Sequence, residues 1–307
     1  MKYTDADIKI DELLLKRIDE KKKRLDSLRP LSKDAVKKLL DDIRLRHTYH
    51  SDAIEGNTLT LQETKLVLEE GITIGGKPLK DHIEAKNDAE AFDLMIKLVH
   101  EGKILSQDII QQIHEIVTKG ILRESGKYRT ENVRIIGSKT TPPDYSKIVK
   151  IMEEYITDIQ KFKLHPIKNA AFIHNELVRI HPFLDGNGRV SRLITNLYLM
   201  KEGYPPIVLK KEDRHKYYRV LQRADYGDLS PFANFLAQAV HEALMYYLST
   251  FLEDERLISL KEIAGFSPYS QEYLSLRARQ GKLDAVKIEN VWYSSKRALK
   301  EYLKSIR

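Results

Sequence analysis

The stretch His181-Pro182-Phe183-Leu184-Asp185-Gly186-Asn187-Gly188-Arg189-Val190-Ser191-Arg192 gathers an imidazole, a carboxylate, a Gly-Asn-Gly turn and two arginines. An apolar run follows, with Leu193, Ile194 and Leu197 at helical spacing and Tyr198, Leu199 and Met200 beyond them. A mostly buried helix is therefore expected to start near Gly186. Gly186 and Gly188 allow consecutive backbone N–H groups to turn inward as an anion nest. The helix N-terminus adds unpaired donors and positive dipole. Arg189 and Arg192 are three apart, so they are expected near one another on the helix surface, where they can offer paired donors to phosphate oxygens. Asp185 is a hard oxygen ligand placed to hold a phosphate-bound Mg²⁺. His181 suits general base work near neutral pH. A purely structural reading is also open: Asp185 caps a buried helix, His181 is a core histidine, and the arginines pair with carboxylates. The whole constellation at one helix start favours attack by a deprotonated hydroxyl on a nucleotide phosphate.

The stretch resembles the Fic motif, His-x-Phe-x-Asp/Glu-Gly-Asn-Gly-Arg-x-x-Arg, at every specified position. Ser51-Asp52-Ala53-Ile54-Glu55-Gly56-Asn57 is similar to the inhibitory motif of that family, in the position found when it lies on an N-terminal helix. The resemblance extends from Leu31 to Glu242. It implies a mostly α-helical Fic core with a small β-hairpin flap. It also implies transfer of AMP from ATP to a Ser, Thr or Tyr hydroxyl of a target protein, with release of pyrophosphate. In those roles His181 takes the hydroxyl proton and Asp185 holds Mg²⁺. Gly186, Asn187, Gly188 and Arg189 hold the phosphates, and Arg192 binds the γ-phosphate. Glu55 pairs with Arg192 and blocks productive ATP binding. Removal of AMP at the same site is a second enzymatic reading. A DNA-binding regulator whose core senses nucleotide is a third, although an intact His181 argues against pure sensing.

Composition sets looser bounds. The 307 residues suffice for a sizeable core, and one large domain with a small one is the natural count. Hydrophobic residues make up 42% and charged residues 32%, as in soluble globular proteins. The absence of cysteine excludes disulfides, thiolate metal sites and cysteine nucleophiles. No apolar run approaches a membrane span, and Met1 to Asp7 lacks a signal-peptide core, so a cytoplasmic location is expected. The net charge is +7, and from Leu257 to Arg307 ten basic residues face five acidic ones. That imbalance suits a polyanionic or acidic partner.

Three segments are expected: 1–60 with the inhibitory helix, 61–250 as the core, and 257–307 as a small domain. Asp7 to Leu28 reads as a charged helix, with Lys21-Lys22-Lys23-Arg24 as a solvated face. The next helix ends at Gly56-Asn57, leaving Glu55 at its C-terminal end, where the dipole disfavours an anion and a cationic partner would compensate. Helices follow from Thr60, over Lys80–His100 and over Leu105–Val117, the last capped by Ser106. His82, His100 and His114 read as surface or packing residues.

Gly126 to Gly137 alternates and reads as a short hairpin stopped by Thr141-Pro142-Pro143. The resemblance makes Ile136, Gly137, Ser138 and Lys139 the flap over the nucleotide. Phe183 is expected to anchor the loop that carries His181. Tyr217 and Tyr218 read as packing by themselves, and by resemblance they lie beside adenine and ribose. Asp225 stands where relatives often carry Asn, and a carboxylate there accepts but cannot donate. Beyond Leu252-Glu253-Asp254-Glu255-Arg256, helices at Leu260 and Ser270–Gln280, strands at 285–288 and 291–293 and a closing helix at 297–306 resemble a winged helix-turn-helix domain. DNA contact through phosphates and protein docking are both open for it. Exposed helical faces suit a homodimer.

Overall fold

The structure, a computed structural model, describes residue 4 and residues 7–135, 140–161, 163–288 and 290–306. The expected flap residues Ile136, Gly137, Ser138 and Lys139 lie outside the described residues. The helices are α1 (Glu12–Ser27), α2 (Lys33–Glu55), α3 (Leu61–Glu69), α4 (Leu79–His100), α5 (Gln107–Thr118), α6 (Ile148–Lys161), α7 (Pro166–Ile180), α8 (Asn187–Lys201), α9 (Arg214–Asp225), α10 (Ser230–Phe251), α11 (Leu260–Ala264), α12 (Gln271–Arg279) and α13 (Lys296–Ser305). Strands β1 (Ile258–Ser259), β2 (Ala285–Ile288) and β3 (Val291–Ser294) form one small sheet. No helix among the described residues is long and apolar enough to cross a membrane. The chain divides into two compact units: Met1–Ile10 with Leu40–Ala239, and Asp11–Leu39 with Val240–Arg307.

In the first unit α8 is central, packed by α7, α4 and α5. Its Val190, Leu193, Ile194, Leu197 and Leu199 are buried, and Ile173, Leu177 and Ile180 of α7 are buried with them. Local chemistry sets the helix starts. Thr60 and Glu63 form a reciprocal capping box on α3, and Ser106 caps α5. Pro166 opens α7, where its missing N–H costs nothing.

The hairpin expected over 126–137 is corrected: residues 126–135 contain no strand. Their backbone is tied instead to the loop after α7. Arg129 is buried and donates to backbone carbonyls. Its N–H donates to Pro182 O at 2.9 Å, its Nε to His181 O at 2.8 Å and its NH2 to Pro143 O at 2.5 Å.

In the second unit the strand order is β1-β3-β2, all antiparallel, with Ile258 and Ala285 both opposite Ser294. Leu260, Ile263, Leu274, Leu283, Leu299 and Tyr302 fill the core beneath. Arg277 of α12 donates to Tyr273 Oη at 2.8 Å and lies over its ring, so it does not project from the helix.

Helix α1 belongs to this unit together with the C-terminal segment. Lys21 is buried against Asp284, and Arg24 pairs with Glu255. Arg17 donates to the carbonyls of Gly281 and Lys282 at 2.7 and 2.8 Å. The basic run read as a solvated face is thus partly an internal ion-pair surface. Asp284 also meets His241 Nε2 at 2.6 Å. Burial alone would raise the Asp284 pKa, but His241 and Lys21 override it and hold the carboxyl well below the usual range.

Removing one member of such a group leaves buried charge uncompensated. Asp284→Ala should therefore cost about 3–5 kcal/mol of stability in this unit. The single tryptophan, Trp292 on β3, reports on it directly: the urea midpoint by tryptophan fluorescence should fall clearly, and an unchanged midpoint would count against the assignment.

Candidate active site

Residues 181–186 form a tight loop between α7 and α8, and its shape follows from a few hydrogen bonds. His181 adopts a left-handed conformation (φ 51°) as it ends α7, and Gly186 (φ 79°) does so where α8 begins. The Asn187 side chain brackets the loop: its Oδ1 accepts from Phe183 N at 3.0 Å and its Nδ2 donates to Phe183 O at 2.9 Å. Asn187 therefore serves the loop through its side chain, and only its backbone N–H can face an anion.

Phe183 is fully buried and stacks on His114, with ring centroids 3.7 Å apart. His114 Nδ1 accepts from Gly126 N at 2.9 Å, so Nε2 carries the proton and donates to Asp185 O at 3.1 Å. Burial pushes the His114 pKa down to about 4, which keeps the ring neutral. His114, expected only to pack, fixes the loop backbone as well.

His181 is held for a single tautomer. Nδ1 lies 3.2 Å from Val178 O, and a carbonyl can only accept, so Nδ1 carries the proton and Nε2 keeps a lone pair. Burial lowers the His181 pKa. Asp185 does not cap α8; Gly186 is the N-cap. The Asp185 Oδ1 accepts from Gly186 N at 2.6 Å, and its half-exposed Oδ2 lies 3.7 Å from Arg189 NH2. Among the described residues no group of three or more His, Asp or Glu could hold a metal by itself. A lone, open carboxylate beside a helix N-terminus fits a cation that brings phosphate oxygens as its other ligands.

Both arginines lie inside, not on the helix surface as expected: Arg189 is 1% and Arg192 2% exposed. Helical rotation turns them toward α2 and α4, and carboxylates there receive them. Arg189 NH1 lies 3.1 Å from Glu84 Oε1 and 4.0 Å from Asp52 Oδ1. Arg192 donates from Nε to Ser51 Oγ and from NH2 to Ser51 O, each at 3.0 Å, and from NH2 to Glu55 Oε1 at 2.8 Å. Burial opposes the Arg192 charge, yet Glu55 and its neighbours outweigh it and raise its pKa. Burial raises the carboxyls of Asp52 and Asp88 as well, the latter to about 7.

The Glu55 carboxylate also covers the first turn of α8: a Cβ on Gly188 would collide with Glu55 Oε1 and stand 3.3 Å from Arg192 NH1. Helix starts leave N–H groups unpaired, so an anion is favoured at that place.

The two tyrosines separate. Tyr217 is buried, and its hydroxyl meets His174 Nε2 at 2.8 Å. Thr195 Oγ1 donates to Ser191 O, so it accepts from His174 Nδ1, and His174 Nε2 must accept from Tyr217. Tyr217 is therefore held in the core. Adjacent residues on a helix point apart, and Tyr218 is the exposed one, at 42%. Its hydroxyl is 3.4 Å from Ile54 O, beside Glu55. Asp225 Oδ2 accepts from Thr140 Oγ1 at 2.6 Å.

The Fic/DOC family profile matches residues 104–199. The fold is similar to Fic-1 (residues 134–508) from C. elegans, with TM-score 0.69 and 30% identity, over 78% of this chain and 73% of that one. The chain belongs to the Fic/DOC family. A Fic domain containing signaling protein from Bacteroides thetaiotaomicron has TM-score 0.71 and 27% identity, over 76% of this chain and 97% of that one. In sequence the chain is 37% identical over 242 residues to the protein adenylyltransferase Fic of Aedes aegypti, covering 78% of this chain and 48% of the relative. The chain spans about half the length of the curated relatives it matches.

Arg129, Glu84 and His114 are parts of this Fic site that sequence reading missed. None carries a local signal: each is set by burial against a residue far along the chain. Gly188 has a helical backbone and needs to be glycine for space alone. Gly188→Ala should push the Glu55 carboxylate off Arg192 and lower stability by about 1–3 kcal/mol. In a Glu55→Gly background most of that cost should vanish. A denaturation cycle of the four proteins measures the coupling, and additive effects would show that the two residues do not compete for the same space.

Proposed function

We propose that the chain transfers AMP from ATP to a Ser, Thr or Tyr hydroxyl of a protein, releasing pyrophosphate, and that Glu55 holds this activity in check. The observation that carries the reading is the Glu55 carboxylate over the first turn of α8, bonded to Arg192, in the place suited to a phosphate. Relatives named protein adenylyltransferase Fic support the reaction class.

His181 Nε2 takes the proton of the target hydroxyl as its oxygen attacks the α-phosphorus. The bond from that phosphorus to the bridging oxygen of the leaving pyrophosphate breaks. The N–H groups at the start of α8 and the two arginines hold the polyphosphate in line, so that most of the acceleration comes from position and charge. Asp185 would hold Mg²⁺, which neutralises phosphate charge when bound. Tyr218, at the rim beside Glu55, is the aromatic residue available to the nucleoside. While Glu55 occupies Arg192, its carboxylate repels the triphosphate and takes its donors.

His181→Ala should leave ATP binding within a few-fold and reduce transfer by about 10²–10⁴, the usual worth of a positioned base. Near-normal labelling from ATP labelled at the α-phosphate would refute the role. Glu55→Gly should raise labelling well above that of the unaltered chain, whereas Arg192→Ala should not, because it removes the lock and a phosphate ligand together.

Burial lowers the His181 pKa, so the neutral base survives below the ordinary imidazole value of about 6.5. In the Glu55→Gly protein the acid limb of kcat/KM should therefore bend below pH 6.5. A limb that bends above that value would assign it to another group.

A further inference from the structure

Two residues beyond Glu55 the chain is pinned to the start of α4. Asn57 Nδ2 donates to Asp81 O at 3.0 Å and to Glu84 Oε2 at 3.1 Å. Asp81 Oδ2 accepts from Thr58 N and Thr58 Oγ1 at 2.7 and 2.6 Å. The Asn57 Oδ1 is spent on Leu59 N, and its backbone N–H returns to Asp52 O at 3.0 Å. The side chain and backbone N–H of Asn57 thus fix where α2 ends, and with it where the Glu55 carboxylate points.

Glu84 is buried, at 7% exposure, and its two oxygens do different things. Oε2 accepts from Asn57, while Oε1 lies 3.1 Å from Arg189 NH1. Lys80, at 3.6 Å, also pairs with it and is largely exposed, while Asp52 and Asp88 add like charge nearby. One carboxylate therefore touches both the segment that aims the inhibitory group and the first arginine of the phosphate site. Since a buried guanidinium takes its direction from the carboxylates around it, moving Glu84 moves Arg189.

We propose that Glu84 is a positioning residue that ties Arg189 to the helix end bearing Glu55, so that release of Glu55 and the seating of Arg189 are coupled. The proposal rests on Glu55 being the inhibitory group. It goes beyond that reading by naming Asn57 and Glu84 as the link through which the inhibitory helix reaches the second side of the site. Coupling of this kind shows as non-additivity between the Glu55 and Asn57 positions.

The test uses the full chain and two readouts, ATP affinity by calorimetry and AMP transfer. Asn57→Ala should tighten ATP binding about fivefold when Glu55 is present and leave it unchanged in a Glu55→Gly background, as expected of residues in one network. In that same background Glu84→Ala should raise the KM for ATP about tenfold with kcat within about twofold, the mark of lost binding and not lost chemistry. Glu84→Gln keeps an acceptor for Asn57 and should give a smaller rise in KM and no tightening when Glu55 is present. Melting temperatures check that each variant folds, and Glu84→Gln, the mildest change, keeps the test open if Asn57→Ala does not fold. Equal effects of Asn57→Ala in both backgrounds, or an unchanged KM in Glu84→Ala, would overturn the proposal. If ATP binding follows the cycle but no variant transfers AMP, the proposed activity fails and the coupling stands; if transfer occurs and the effects add, the coupling alone fails.

Discussion

The site depends on one buried guanidinium. Arg192 lies inside the first unit, and desolvation on its own would make its charge unfavourable. Ser51 and Glu55 supply the compensation, both from α2 and one helical turn apart. Glu55 is in turn an anion at the unfavourable end of its own helix. Meeting Arg192 and the start of α8 resolves both problems at once, because the C-terminal end of one helix delivers a carboxylate to the N-terminal end of another. The arrangement stabilises the resting state and leaves the arginine needing some anion. On the proposed function, a polyphosphate takes the place of Glu55 by offering the same two things, negative charge toward Arg192 and acceptors toward the first turn of α8.

The remaining parts of the site are held by residues that do no chemistry themselves. Phe183 and His114 stack to set the loop, Asn187 closes it, and Arg129 fastens the segment after α5 to the carbonyls of His181 and Pro182. The result is a fixed imidazole, His181, whose tautomer is chosen by a backbone carbonyl at Nδ1, which leaves the lone pair on Nε2. On the proposed function, rigidity at His181 and replaceability at Glu55 are opposite demands, and they fall on different elements: the loop between α7 and α8 carries the first, the end of α2 the second.

Sequence and structure agree best where the governing physics is local. The apolar spacing in α5, α7 and α8, the caps at Thr60 and Ser106 and the end of α2 at Gly56 are all short-range effects, and each element lies within a few residues of its expected position. The two strands read around Glu289-Asn290 and the helices beside them follow equally. The two-residue strand β1 had no pattern to read, being shorter than one period of alternation allows.

The sequence by itself determined the helical class, the membership signalled by residues 181–192, and the nearness of an imidazole, a carboxylate and an anion-binding helix start. Those groups are neighbours in the chain, so their nearness needs no fold. Only the tertiary structure decided which side chains face the site. It turned Arg189 and Arg192 inward, sent Tyr217 to the core and Tyr218 to the rim, and joined α1 to the C-terminal segment through Lys21 and Asp284. The reason is that burial and pairing are long-range properties: whether an arginine is a surface donor or an internal cation depends on carboxylates more than a hundred residues away, and no local spacing records them.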